Sequence, residues 1–153
     1  MVKPLDESHH PPMLDHVGVD LWRAASAWRD RLHREMVARG HSWYGDARGA
    51  VAANLDVRGL SQTELVARMG VTKQAVQQLL DALEAEGVVR RSPDPEDRRG
   101  KRVDYTPRGL AAVRDANAIK RRMEKELSER LGGRAFDELR AALREVAAAF
   151  EEG

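Results

Sequence analysis

Two helix-start signals eleven residues apart, with a glycine between them, constrain this chain more than any other feature of its sequence. Ser61 and Glu64 form the pattern S-x-x-E, in which each side chain can satisfy a backbone N–H left unpaired at a helix start, and Leu60 and Leu65 stand at staple positions around them. Leu65, Val66 and Met69 give an apolar face to a helix of barely two turns, until Gly70 offers the left-handed conformation in which a helix stops and turns. Thr72 can cap a second helix, with Val71 and Val76 repeating the staple, and this helix runs to Glu86 before Gly87 ends it. Helix, tight glycine turn, helix is the outline of a helix-turn-helix unit.

The second helix has two chemically different sides. At about 100° per residue, Val76, Leu79, Leu80 and Leu83 share one side while Gln74, Gln77, Gln78 and Asp81 share the other. Glutamine amides can meet the N7 and N6 edge of adenine in a major groove, and Lys73 at the helix start can reach phosphate or guanine. Exposed glutamines are as often simply solvated, so the helix alone leaves both readings open.

The following segment favours the first. Val88 to Ser92 and Lys101 to Thr106 are strand-like, joined by a stretch from Pro93 to Gly100 rich in proline, charge and glycine, which predicts a β-hairpin with a protruding loop. From Arg90 to Arg108 there are seven basic residues (Arg90, Arg91, Arg98, Arg99, Lys101, Arg102, Arg108) against four acidic ones (Asp94, Glu96, Asp97, Asp104), a local excess of 7 − 4 = +3. The whole chain carries only +1, so the position of the charges matters and their sum does not. A basic loop beside a glutamine-faced helix suits phosphates and a narrow minor groove.

The flanking segments read as helices. Leu14, Val17, Leu21, Ala25, Trp28, Leu32 and Met36 recur at helical spacing up to Gly40, and a short helix is predicted from Asp46 to Asn54. Thr106 caps a further helix with Pro107 in its first position, striped by Leu110, Val113, Ile119, Met123, Leu127 and Leu131 as far as Gly132. Phe136, Leu139, Leu143, Val146 and Phe150 then trace the seam of a last helix that packs on another helix. The expected fold class is mainly α with a small β-hairpin: a winged helix-turn-helix DNA-binding region over residues 43–106 and a helical dimerisation region over 13–40 and 107–153. Residues 1–12, with three prolines and no periodicity, read as a flexible tail.

The run Leu60-Ser61-Gln62-Thr63-Glu64-Leu65 to Gly70, the capped helix from Thr72, the spacing Leu79-Leu80-x-x-Leu83-x-x-x-Gly87, and Asp97-Arg98-Arg99 followed by Val103, Tyr105-Thr106 and Gly109 resemble the MarR family over about residues 13 to 150. The most specific piece is the wing pattern D-x-R-x-x-x-x-x-L-T, here with Tyr105 where leucine is usual. The segment from Tyr44 to Gly49 departs from the usual apolar-patterned second helix. The resemblance implies a homodimer in which the first and last helices of two chains interlock, with the helix-turn-helix in a major groove and the wing in the adjacent minor groove. It implies Arg99 as the DNA-contacting wing arginine and Asp97 as the residue that holds the wing loop. The implied DNA-binding set is Thr72, Lys73, Gln74, Gln77, Gln78, Arg98, Arg99 and Lys101.

Family members often carry an effector pocket between the two regions, so His16, Trp22, Trp43 and Tyr44 are read two ways, as lining for a small aromatic or amphipathic ligand or as plain core. No cysteine is present, and the five histidines lack the companions and spacing of a metal site, so neither a metal nor a cofactor is expected. No nucleophile elbow, phosphate-binding glycine loop or metalloprotease helix occurs, and an enzyme is not expected. No run is long and apolar enough for a membrane span and no signal peptide is read, which makes cytoplasmic the expectation. The combined reading is a sequence-specific transcriptional regulator, a repressor acting on a pseudo-palindromic operator. The rival is a winged-helix protein-interaction module without DNA binding, which would have no need of Arg98, Arg99 and Lys101.

Overall fold

The computed structural model describes residues 14–151, so the segment read as a tail lies outside the described residues. The chain folds as α1 (Val17–Ala38), a 3-10 turn (Ser42–Gly45), α2 (Gly49–Asn54), β1 (Leu60–Ser61), α3 (Gln62–Met69), α4 (Lys73–Ala85), β2 (Val89–Pro93), β3 (Lys101–Tyr105), α5 (Pro107–Leu131) and α6 (Gly133–Glu151). It is the winged-helix arrangement, mostly helical with a small antiparallel sheet.

Side-chain caps fix the starts of the central helices. Ser61 Oγ accepts from Glu64 N at 3.1 Å, Thr72 Oγ1 from Ala75 N at 3.2 Å and Thr106 Oγ1 from Gly109 N at 3.1 Å. One detail differs from the sequence pattern. Glu64 does not return to Ser61, whose backbone pairs with Arg102 in the sheet; its carboxylate accepts instead from Arg68 Nη2 at 2.7 Å. Val71, at the second staple position, stays 46% exposed while Val76 is buried.

α4 ends on Gly87 at φ 68°, where Gly87 N donates to Glu84 O and Val88 N donates to Leu83 O, both at 2.9 Å. This double closure satisfies two orphan carbonyls and packs Val88 beside Leu83, both buried. The sheet order is β1-β3-β2, with Leu60 opposite Val103 and Val89 opposite Tyr105. The sequence missed β1, which is two residues long and carries no alternation to read. β2 is an edge strand, where Pro93 can stand without breaking a ladder.

One core joins these parts. Leu32 and Met36 of α1, Trp43, Tyr44, Val51, Leu65, Leu80, Val103, and Ala112, Ala116, Ile119 and Met123 of α5 all belong to it. Ion pairs fasten α1 and the residue after it to α5: Arg31 reaches Glu126 at 2.6 Å, Arg122 pairs with Glu35, and Arg39 meets Asp115 at 3.1 Å, with His41 Nε2 in hydrogen-bond contact with the same carboxylate at 2.8 Å. The ends of the helical part are different. Leu14, Val17 and Trp22 are more than two-thirds exposed, and α6 leans on α5 without burying any residue.

α5 starts hard against the hairpin base. A Cβ at Gly109 would stand 2.1 Å from the Val88 carbonyl oxygen and 2.8 Å from Tyr105 Cδ1, so backbone would have to move. Gly109→Ala is expected to lower stability by about 1–3 kcal/mol, read as a lower urea midpoint with an unchanged slope. An unchanged midpoint would mean that the first turn of α5 is not held where the structure puts it.

Candidate nucleic-acid interface

Burial of Val76, Leu80 and Leu83 turns the opposite side of α4 outward, and Thr72, Lys73, Gln74, Gln77 and Gln78 are all exposed. The wing loop is built by its own carboxylates. Asp97 Oδ1 accepts from Arg99 N at 2.9 Å, Asp94 Oδ1 accepts from Glu96 N at 2.9 Å, and Asp94 N donates to Gly100 O at 3.1 Å across the loop mouth. With those acids occupied on backbone, the side chains of Arg98, Arg99 and Lys101 remain exposed.

Helix and wing meet in a cleft of about 380 Å³. Lys73 and Gln77 of α4 line it with Arg99 and Lys101 of the wing, and Gln62 and Thr63 at the start of α3 close its third side. Arg98 borders a neighbouring hollow of about 260 Å³ together with Arg99 and Lys101. Gln74 and Gln78 lie on the same exposed side of α4, outside the cleft lining. Sequence reasoning missed Gln62 and Thr63: it found the cap that starts their helix, but which neighbours they face is a tertiary fact.

The seven basic residues counted from Arg90 to Arg108 divide in two. Arg91 is held by Asp81 at 2.5 Å and Glu84 at 2.6 Å, and Arg102 by Asp104 at 3.2 Å and the carbonyl of Arg58. Arg90, Arg98, Arg99, Lys101 and Arg108 have no ion-pair partner among the described residues. Of these, Arg98, Arg99 and Lys101 stand together at the wing loop, while Arg90 lies at the base of β2 and Arg108 in the first turn of α5.

The structure divides the aromatic set by burial. Trp43 and Tyr44 are 2% and 7% exposed, in tilted contact at 5.4 Å with His33 edge-on to Tyr44, and they are core. Trp22 is 71% exposed and His16 is exposed, on the N-terminal end of α1. Burial raises the Tyr44 hydroxyl above its ordinary pKa, as expected of a packed phenol. Among the described residues no group of three or more His, Asp or Glu could hold a metal ion.

A MarR family model matches residues 47–100, from the approach to α2 through the wing loop. Solved structures match far more of the chain. The transcriptional regulator PA3341 is 28% identical, covering 90% of this chain and 100% of its own, with a TM-score of 0.72. Wild-type apo MarR from E. coli is 24% identical over 88% of this chain and 98% of its own, at a TM-score of 0.65. The chain is similar to the MarR family, by the family-model match over residues 47–100 and by the likeness of its fold to these regulators. A mutant of MepR from a multidrug resistant clinical isolate of S. aureus, 19% identical over 90% of this chain and 99% of its own, shares the fold at a TM-score of 0.68. No curated protein matches the chain.

MarR-family proteins are DNA-binding regulators of transcription and not enzymes. The family match ends at Gly100, so α5 and α6 are related through the structural likeness alone. Between α1 and α2, around the Tyr44–Gly49 segment, the 3-10 turn Ser42–Gly45 delivers Trp43 and Tyr44 to the core, and Gly49 lets α2 start against the Tyr44 carbonyl. No helix among the described residues is long and apolar enough to cross a membrane.

Hydrogen bonds from the Arg91 guanidinium and backbone N–H hold the Glu84 carboxyl below the usual carboxylate range. A lowered folded-state pKa stabilises the fold above the ordinary glutamate value of about 4.3, and that stabilisation is lost as pH falls through the folded-state value. Glu84→Gln is therefore expected to melt below wild type near neutral pH, with the gap closing in acid. A gap that keeps its size in acid would show that the contact acts through shape and not charge.

Proposed function

We propose that this chain is a homodimeric repressor that binds a pseudo-palindromic operator, with α4 in the major groove and the β2–β3 wing in the adjacent minor groove. The carrying observation is the cleft in which Lys73 and Gln77 face Arg99 and Lys101. Phosphate and base contacts need different chemistry, and the two sides supply it: cations position the protein, amides discriminate between base edges. Gln74, Gln77 and Gln78 read bases, Thr72 and Lys73 meet the backbone at the helix start, and Arg98, Arg99 and Lys101 enter or flank the minor groove. Asp97 keeps the loop in shape for them. Three wing cations without an ion-pair partner among the described residues favour this reading over a protein-interaction module.

The dimer is supported by the apolar surface of the helical part. Leu143 is 44% exposed and Phe150 82%, on the seam that ends the chain, while Trp22 is bare on α1. Large side chains of this kind favour burial by about 2 kcal/mol each, which a second protomer supplies. α1, α5 and α6 form the dimerisation region in this reading, and the elements between them the DNA-binding region. Release by a small aromatic or amphipathic ligand completes the proposal, and of the aromatic candidates His16 and Trp22 are the exposed ones.

Deleting residues 134–153 is expected to abolish both dimer and tight operator binding. The full chain sedimenting as a monomer at micromolar concentration would overturn the dimer. Arg99→Ala should weaken binding to every duplex and make the salt slope shallower by about one unit. Gln78→Ala should instead cost about 1–3 kcal/mol on the cognate site and little on random DNA. Titrations of both variants against operator and random duplex at several salt concentrations check this. Equal losses on the two duplexes for Gln78→Ala would remove α4 from base readout.

A further inference from the structure

We infer that Arg91 is a positioning residue that sets the stance of the wing against α4, an inference that rests on the DNA-binding reading above. Its side chain is 14% exposed and makes contacts to two successive turns of α4. Arg91 Nε and Nη2 donate to Glu84 Oε2 at 3.1 and 2.6 Å, and Nη2 also donates to Asp81 Oδ1 at 2.5 Å. The other Glu84 oxygen accepts from Arg91 N at 2.9 Å. One carboxylate thus binds both the guanidinium and the backbone of β2.

The place of this contact gives it consequence. β2 is an edge strand whose only ladder is to β3, and the backbone N–H of Arg91 points away from that ladder. Val88 and Val89 anchor the hairpin base in the core, but no residue of β2 beyond them is buried. Arg91 is the last point at which β2 is tied to α4 before the loop carrying Arg98 and Arg99. β1 holds β3 as far as Arg102, but the β2 side is tied to the recognition helix by Arg91, and a wing free on that side would have to be ordered on a duplex at a cost in affinity. A wing fixed at Arg91 meets the duplex as one surface with α4.

The same arginine answers a second problem. Asp81 lies one turn beyond Gln77 and Gln78 on the outward side of α4, where a bare carboxylate would face phosphates. The guanidinium neutralises it and turns it toward the wing. Asp81 is therefore part of the clamp and not a base reader.

A double-mutant cycle between Arg91→Met and Arg99→Ala tests the clamp, using the full chain and a site selected from random duplexes. Methionine keeps much of the aliphatic stem while removing the donors. In the wild-type background Arg99→Ala weakens binding; in the Arg91→Met background the same change should cost at least about fivefold less, because the wing is no longer held in place. A purely structural Arg91 would lower the melting temperature and leave the Arg99 increment unchanged, and that result overturns the proposal while leaving the wing at the DNA. Should Arg91→Met fail to fold, Glu84→Gln replaces it in the cycle with the same expectation. No loss for Arg99→Ala in the wild-type background would strike the DNA-binding reading of the wing, and the clamp falls with it.

Discussion

Everything outward on this molecule depends on what α4 buries. Val76, Leu80 and Leu83 are fully enclosed against Leu65, Val103 and the hairpin base, so the helix cannot rotate without exposing them. Rotation by one residue would bring Gln77 toward the core and Val76 toward water, a double cost of unpaired amide and exposed side chain. The core thereby fixes an otherwise featureless row of glutamines into one plane. The Gly87 closure fixes the other end, because the left-handed residue sends the chain directly into β2 beside the helix that preceded it.

Charge is arranged by the same economy of position. Asp81 and Glu84 on α4 and Asp94 and Asp97 in the loop are occupied by Arg91 and by backbone N–H groups, while Arg98, Arg99 and Lys101 have no ion-pair partner among the described residues. Elsewhere the basic and acidic residues cancel locally, as in the Arg31, Glu35, Arg122, Glu126 lattice between α1 and α5. A net charge of +1 hides this segregation. The field that a polyanion would meet is that of the wing and of the start of α4, which share a cleft.

What could be read from the sequence follows from the range of the interactions involved. Caps at Ser61, Thr72 and Thr106 and the stops at Gly70 and Gly87 are local, and each stands where the pattern puts it. The outward row on α4 was legible because helical periodicity alone assigns it. β1 was not, since two residues hold their strand geometry only by pairing with Val103 and Arg102. Nor was the division among the arginines: Arg91 and Arg99 look alike in a charge count, and only the approach of Asp81 and Glu84 across the turn at Gly87 separates them. Trp43 and Tyr44 were legible as large apolar groups, but whether they lined a pocket or filled the core depended on packing against α1 and α5, which no window of sequence contains.

α5 connects the two halves of the molecule. Its first turn is capped by Thr106, which also donates to the Val88 carbonyl at 3.1 Å, and Gly109 presses on that same carbonyl, so the helix start and the wing base move together. Its middle buries Ala112, Ala116, Ile119 and Met123 against α1 and the rest of the core, and its far end reaches the exposed apolar surface of Leu131 and α6. In the proposed dimer, covering that surface with a second chain would set the tilt of two α5 helices against each other. Because the near end of each has no slack against its wing, the tilt would pass directly into the separation of the two recognition helices. In that proposed assembly, a ligand that altered the packing of α6 on α5 would change which operator spacing fits.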